Sequence, residues 1–148
     1  MAKKASFFIR GSVTPGNDGI FRQTQIDLSA YVSALGKSII KIKSIEAEWA
    51  QADDGAIPNA APFMTNNQAG LAVWQLTTQA NSGVVPLDDR TTIAKGQLWA
   101  RNPDGSPNPP TQVYSDSHLP QHYSDGFLVA VEDIYLGALG TTEWEASS

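Results

Sequence analysis

The sequence contains no cysteine among its 148 residues, and only two histidines. A disulfide framework, a thiolate zinc site and a cysteine nucleophile are therefore excluded. No stretch approaches the ~18 consecutive apolar residues of a membrane-spanning helix. Near the N-terminus, two lysines precede only three apolar residues in a row, FFI, which is too short for the apolar part of a signal peptide. We expect a soluble protein that is made in a cytoplasm and has no transmembrane segment.

Charge is also scarce. Charged residues make up 17% of the chain, below the usual proportion of about a quarter. The net charge is -5 and the isoelectric point is near 4.8. Proteins that bind nucleic acid usually carry a basic patch or stripe, so direct nucleic-acid binding is not expected. A polar surface with little charge is typical of contact with other protein or with carbohydrate.

The longest strand-forming run is GFLVAVEDIYLG at 126–137, which has glycine at both ends. Side chains alternate between the two faces of a strand, and here both faces are largely apolar. Such a pattern is typical of a strand covered on both sides, so we predict the central strand of a sheet. Glu132 and Asp133 interrupt the run on opposite faces. They indicate either the exposed end of a long strand, which burial preferences favour, or an interface.

Shorter strand patterns separated by glycine and proline turns occur along the rest of the chain. They lie at 5–14, 20–28, 37–50, 71–79, 91–100, 112–115 and 141–145. Pro86 confines 84–87 to an edge or a loop, and Pro120 keeps 118–125 irregular. Within 37–50 the apolar positions change face between Ile42 and Ile45, which predicts a β-bulge near Lys43 and Ser44.

One short helix is predicted at 30–35, with Ser29 as its N-cap and Gly36 ending it. Two long loops are predicted at 51–70 and 102–110. The spacing of strands and turns favours an all-β fold, an antiparallel β-sandwich of about eight strands. No repeat or linker divides the chain, so we expect one domain over 1–148 with 1–4 as a short N-terminal arm.

A histidine and aspartate cluster is the first candidate for metal chemistry. Asp116, His118, His122 and Asp125 have suitable donor types. Two histidines four residues apart share a face only on a helix, however, and Pro120 prevents a helix there. We therefore expect no metal at this cluster.

The other acids give no stronger signal for catalysis. Turn chemistry explains the pairs at 53–54 and 88–89 better than a calcium loop does. Five further carboxylates could pair as in glycoside hydrolysis: Asp27, Glu46, Glu48, Glu132 and Glu143. No G-x-S-x-G motif and no phosphate-binding glycine loop occurs. We expect no catalytic, cofactor-binding or metal-binding residue and no cofactor.

Aromatic residues are the remaining candidates for binding. Tryptophan and tyrosine can stack on sugar rings or anchor a protein interface, although a tryptophan in a strand is more often part of the core. The candidates are Trp49, Trp74, Trp99, Trp144, Tyr31, Tyr114 and Tyr123.

With about eight strands, a short helix after the second and a late apolar strand within HYSDGFLVAVEDIYLGALG, the chain resembles the single jelly-roll coat proteins of icosahedral viruses. The resemblance is architectural and covers about 5–145. It implies two four-stranded sheets packed face to face, with end loops available for contacts in a repeating shell. Coat proteins that package naked nucleic acid often have a long basic arm, whereas here only Lys3, Lys4 and Arg10 are basic near the N-terminus.

The resulting hypothesis is a non-enzymatic structural virion protein, a capsid subunit that associates with copies of itself. The loops at 51–70 and 102–110 are the expected contact segments. Other virion proteins or an inner membrane are further partners under this hypothesis. The alternatives are a carbohydrate-binding, lectin-like β-sandwich and a small metal-dependent β-sandwich enzyme that uses His118 and His122.

Overall fold

The computed structural model describes residues 6–32, 38–50, 69–101, 113–116, 121–142 and 144. Within these residues the fold is all-β, with seven strands and no helix. The strands are β1 Arg22–Asp27, β2 Ile40–Ile45, β3 Ala69–Thr77, β4 Thr92–Arg101, β5 Val113–Asp116, β6 Gln121–Val129 and β7 Asp133–Gly140. The all-β, antiparallel character predicted from the sequence is confirmed. The described residues contain seven strands, fewer than the eight or so predicted from the sequence.

The larger sheet has five antiparallel strands in the order β1-β7-β3-β4-β5. Its middle strand, β3, is buried on both faces. Ala72, Trp74 and Leu76 lie buried on one face. Gln75 and Thr77 lie on the other face, and each of these two is only 1% exposed. The apolar face packs in the core, and the polar face is covered by the loop that joins β3 to β4.

The smaller sheet pairs β2 with β6. Its register shifts between Ile42 and Ser44, at the position predicted for a β-bulge. One extra residue reverses the side to which later side chains point. Ile42 before the bulge and Ile45 and Trp49 after it therefore pack against the same core. The bulge prediction is confirmed.

The main core lies between the two sheets. Its buried members come from both: Trp74, Leu76, Ile93, Ala94, Ile134 and Ala138 from the larger sheet, and Val129 from β6, together with Leu28 and Val32 from the segment after β1. A smaller cluster joins Ala72, Leu98, Ala100 and Trp144, and Trp49 contacts both clusters. The arrangement is therefore sandwich-like.

The prediction of a single central strand at 126–137 is wrong. Residues 126–129 belong to β6 in the smaller sheet, residues 130–132 turn, and β7 begins at Asp133 in the larger sheet. Leu128 is 61% exposed and Val131 is 39% exposed, so the apolar run is not covered on both sides. Gly126 has a φ of 76°, which interrupts regular extension at the start of the run. Exposed Glu132 and half-buried Asp133 lie where the chain passes between sheets, which agrees with a strand end.

Other local predictions also need correction. Residues 6–14 form no strand, although a strand was predicted at 5–14. Residues 121–125, predicted to be irregular, are the first half of β6. Of the strand predicted at 141–145, residues 141 and 142 are not in a strand and Trp144 forms an isolated bridge, while 143 and 145 lie outside the described residues. These segments are short, so tertiary contacts outweigh their local preferences.

The short helix predicted at 30–35 is not seen in its described part. Residues 29–31 form a turn in which the amides of Tyr31 and Val32 both donate to Leu28 O, at 2.8 and 2.9 Å. The side chain that holds this turn is Asp27, not Ser29, because Asp27 Oδ1 accepts the Ser29 amide at 2.8 Å. Residues 33–37 lie outside the described part of the chain, as do the loops at 51–68 and 102–110.

Candidate interaction groove along the first strand

An open groove of about 520 Å³ runs along β1, the edge strand of the larger sheet. One wall is the segment 8–12, which belongs to no strand, and the other is formed by β1 and Tyr31. The lining residues are Phe8, Ile9, Arg10, Gly11, Ser12, Thr24, Gln25, Ile26, Asp27 and Tyr31. The groove therefore combines a sheet edge with an apolar wall.

Gly11 positions the 8–12 wall. A Cβ added at Gly11 would lie 2.6 Å from Ile26 Cδ1, closer than carbon atoms can approach without a shift. Glycine thus lets the backbone lie directly on this side chain, whereas a larger residue would require the Ile26 side chain to shift. Val13, two residues later, packs against the main core. The wall is therefore fixed to the sandwich although it belongs to no sheet.

Exposed apolar side chains border the groove. Phe7 and Tyr31 stack with ring centroids 4.4 Å apart and an interplanar angle of 19°. Phe7 is 45% exposed, Phe8 is 98% exposed, Ile9 is 39% exposed and Tyr31 is 47% exposed. We call these four residues the aromatic rim. Adjacent exposed apolar side chains of this size are typical of a contact surface and not of solvated loop.

Tyr31 is positioned by the turn that follows β1. Hydrogen bonding from the side chain and the backbone amide of Ser29 to the Asp27 carboxylate lowers the pKa of Asp27 below its ordinary value. The two amides that donate to Leu28 O close the turn and place Tyr31 against Phe7. The groove consequently carries a negative charge at one end, next to an aromatic pair.

The outer edge of β1 forms no backbone pairing with the segment 8–12, which lies beside Ile26. The Leu28 amide donates to Glu132 O at 2.7 Å, and Leu28 and Glu132 continue the register in which Ile26 faces Ile134. In an antiparallel pair, hydrogen-bonded positions alternate, so Thr24 and Ile26 also bond inward to β7. The backbone groups of Gln23, Gln25 and Asp27 point away from the sheet. Among the described residues no strand pairs with this edge.

The opposite end of β1 is held by an ion pair. Arg22 donates from both terminal nitrogens to the Asp18 carboxylate, at 2.8 and 2.6 Å, and also to Pro15 O. The Arg22 side chain holds the pKa of Asp18 far below its ordinary value. The same turn contacts the end of the sandwich, because Asn17 Nδ2 donates to Trp144 O at 3.0 Å. The Arg22 side chain therefore points toward the preceding turn at 15–18.

The acids and histidines considered for catalysis do not converge among the described residues. No group of three or more His, Cys, Asp or Glu side chains there could hold a metal ion. His122 lies in β6 opposite Ser44, and Asp125 is exposed at the middle of that strand. Asp116 lies in β5. His118 and the acids at 53–54 and 143 fall outside the described residues, and the side chains at 116 and 122 are not among those described.

The remaining carboxylates have separate environments. Asp27 lines the groove, whereas Glu46, Glu48 and Glu132 are exposed on other segments. Asp89 Oδ1 accepts from both the amide and the hydroxyl of Thr91, at 2.8 and 2.6 Å. The turn interpretation of 88–89 is therefore confirmed for Asp89.

The tryptophans are interior or half-buried. Trp74 is 6% exposed and Trp144 is 4% exposed, while Trp49 and Trp99 are half-buried. The indole nitrogens of Trp49, Trp74 and Trp144 are buried, and within the described part of the chain they have no hydrogen-bond acceptor. These rings serve the core, as the burial preference of tryptophan predicts. Tyr114 and Tyr123 have side chains outside those described.

The aromatic rim contains two residues, Phe7 and Phe8, that the sequence did not single out as binding candidates. Their signal was present: FFI places consecutive apolar residues on both faces of an extended segment. An extended segment buried on one side only would alternate. Without a partner strand, both phenylalanines are exposed, Phe7 by 45% and Phe8 by 98%.

Comparison with known proteins gives no relative from which to transfer a role. No family model matches the chain, and no curated protein or solved structure matches it either. Among the described residues, no helix is long and apolar enough to cross a membrane.

Proposed function

We propose that this protein is a non-enzymatic structural subunit that assembles with copies of itself, as a coat subunit of a virion does. The observation that carries the proposal is the aromatic rim beside an open sheet edge. Phe8, at 98% exposure, has almost its whole ring in water. Covering such rings supplies the largest apolar gain available to a protein contact.

The strand pairing supports the jelly-roll part of the proposal. Among the described strands, the first pairs with the last, β1 with β7, and the second pairs with the sixth, β2 with β6. These two pairs, between strands far apart in the sequence, suit the long-range connections of a jelly roll, whereas β3–β4 and β4–β5 join consecutive strands. The five-plus-two arrangement of the described strands differs from the four-plus-four arrangement of the family.

Under this proposal the protein resides in a virion, and its partners are other copies and further virion proteins. Direct genome binding is not part of it, because the net charge is -5 and binding to phosphates requires clustered cations. The lectin-like alternative is less well supported. Two of its tryptophan candidates, Trp74 and Trp144, are buried, and one face of Tyr31 is covered by Phe7.

The test is the solution mass of the wild type and of Phe8→Ser, measured by light scattering on a sizing column and followed by negative-stain microscopy. We expect defined oligomers or closed particles for the wild type. Phe8→Ser should need at least about tenfold more protein to assemble, since loss of a buried aromatic anchor costs more than 1.4 kcal/mol.

Leu87→Ser is the matched control, because Leu87 is 71% exposed on the β3–β4 loop, away from the groove. It should assemble like the wild type. A wild type that stays monomeric over a wide range of concentration and salt would contradict the proposal.

A further inference from the structure

We propose that the β1 edge is the contact itself, and that it pairs antiparallel with β1 of a second copy around a twofold axis at Gln25. The five-stranded sheets of two copies then join into one continuous sheet. This inference rests on the proposed self-association and names the surface through which it occurs. Such strand addition is a common way for open edges to bind.

The backbone of β1 supplies matching groups at alternate positions. Because Gln23, Gln25 and Asp27 direct their amides and carbonyls outward, they must become the hydrogen-bonded positions of any added strand. Two copies of β1 can satisfy this condition with Gln25 opposite Gln25. Gln23 then faces Asp27 of the second copy, and the reverse pair forms by symmetry. A register shifted by one residue would place outward groups opposite inward groups.

The side chains at these positions are complementary. Gln23 Oε1 already accepts the Asn81 amide at 3.2 Å, which leaves the Gln23 NH₂ group as the donor. Asp27 Oδ1 accepts the Ser29 amide, and Oδ2 remains as an acceptor. In the proposed register, a charge-assisted hydrogen bond joins Gln23 Nε2 to Asp27 Oδ2 of the second copy. No like charges face each other.

Lysine and proline, which often protect an edge strand, are absent from β1, and the segment 8–12 beside it makes no strand pair with it. The sequence of β1 is RQTQID. The one cation, Arg22, is turned back to Asp18 and Pro15. The outward positions of β1 are therefore free of groups that would repel a strand.

The groove and the aromatic rim supply room and area for the contact. A fully covered aromatic side chain buries roughly 150–250 Å². Phe8 exposes nearly all of its surface, and Phe7 and Tyr31 expose about half of theirs. With Ile9, the rim offers about half of the ~800 Å² per partner that a standard interface buries. Six paired strand residues and their side chains can supply the remainder.

Charge exchange at Gln25 tests the twofold register. Gln25→Lys and Gln25→Glu each place two like charges opposite each other, so each alone should raise the dissociation constant about two- to fivefold. An equimolar mixture of the two variants should restore assembly, because unlike charges then meet. Ser44→Lys, which adds the same positive charge at an exposed position on β2, should not weaken assembly.

A cysteine placed at position 25 gives an independent readout, since the chain has no other thiol. Hydrogen-bonded antiparallel positions have Cα atoms about 5.5 Å apart, within the range that a disulfide can bridge. Gln25→Cys should form a disulfide-linked dimer under mild oxidation, and Ser44→Cys should not. Each protein is first checked by circular dichroism for the wild-type fold.

The outcomes separate this inference from the proposed function. If the wild type assembles and the Gln25 variants assemble equally well without cross-linking, the β1 contact is wrong and self-association stands. If the wild type is a monomer, both are wrong. Restoration by the mixed charges together with the cysteine cross-link would establish the register.

Discussion

At the scale of single residues, Gln75 shows how a polar side chain can be buried at the centre of a sheet. It is 1% exposed on β3. Its Nε2 donates to Gly83 O at 3.1 Å, and its Oε1 accepts the Val85 amide at 2.9 Å. Lys95 Nζ donates to Val85 O at 2.8 Å. These bonds hold the β3–β4 loop over the outer face of the sheet, so that face needs no apolar cover.

We expect Gln75→Leu to lower the free energy of unfolding by about 1–3 kcal/mol, because it leaves a buried amide and a carbonyl of the loop without partners. Urea denaturation followed by circular dichroism measures the change. Gln79→Leu, at an exposed position in the same loop, is the control and should stay within about 0.5 kcal/mol of the wild type. Equal stability of the two variants would show that the Gln75 amide does not hold the loop.

Thr77, on the same face of β3 as Gln75, also bonds to the β3–β4 loop. Its hydroxyl donates to Gln79 O at 2.8 Å and accepts from Asn81 Nδ2 at 3.3 Å. The backbone amide of Asn81 in turn donates to Gln23 Oε1 on β1. The loop over the outer face thus reaches the edge strand. This link orients the Gln23 side chain that the proposed interface uses.

At the scale of elements, the end of β7 depends on a close approach between two backbones. A Cβ added at Gly140 would lie 2.4 Å from Gly16 O. Gly16 belongs to the turn before β1 and has a φ of 69°. The Gly19 amide also donates to Gly140 O at 2.8 Å. Glycine at 140 therefore allows the turn to rest on the strand.

Gly140→Ala should lower the free energy of unfolding by about 1–3 kcal/mol, since backbone atoms cannot move aside as a flexible side chain can. Thermal and urea melts measure the loss. Gly83→Ala is the matched control, because an added Cβ there meets nothing within 4 Å and should be neutral or slightly stabilising. If the two variants are equally stable, the contact between turn and strand does not constrain the fold.

At the scale of the whole molecule, net charge sets the conditions for assembly. Each copy carries a net charge of -5, so copies repel one another at neutral pH. Salt shortens the range of that repulsion, from about 30 Å at 0.01 M to about 8 Å at 0.15 M. The proposed contact itself is mainly apolar and hydrogen-bonded, so screening affects the repulsion more than the attraction.

We therefore expect association to strengthen by several-fold between about 0.01 M and 0.15 M salt. Sedimentation velocity over a concentration series at each salt measures the dissociation constant. The Gln25→Lys variant at the same salts is the comparison, because added salt should recover part of its lost affinity. Weaker association of the wild type at higher salt would indicate that opposite charges, and not apolar area, dominate the contact.

The sequence by itself determined the all-β class, most of the strands and the β-bulge. Period-two alternation follows directly from backbone geometry, so it survives in almost any tertiary setting. Ile42 and Ile45 would point to opposite faces of a regular strand. If both pack against one core, an extra residue must lie between them. The placement of tryptophan in the interior followed from its apolar area in the same way.

Only the tertiary structure decided which strands pair and which edge stays open. The run at 126–137 has a strand pattern throughout, yet it is shared between two sheets, because the turn at 130–132 is fixed by the distant bond from Leu28 to Glu132 O. The groove depends on the same long-range pairing, since β1 is an edge only because β7 covers its other side. Alternation records which face of a strand is apolar. It does not indicate which strand will be the neighbour in the sheet, because every residue type except proline offers the same backbone donor and acceptor.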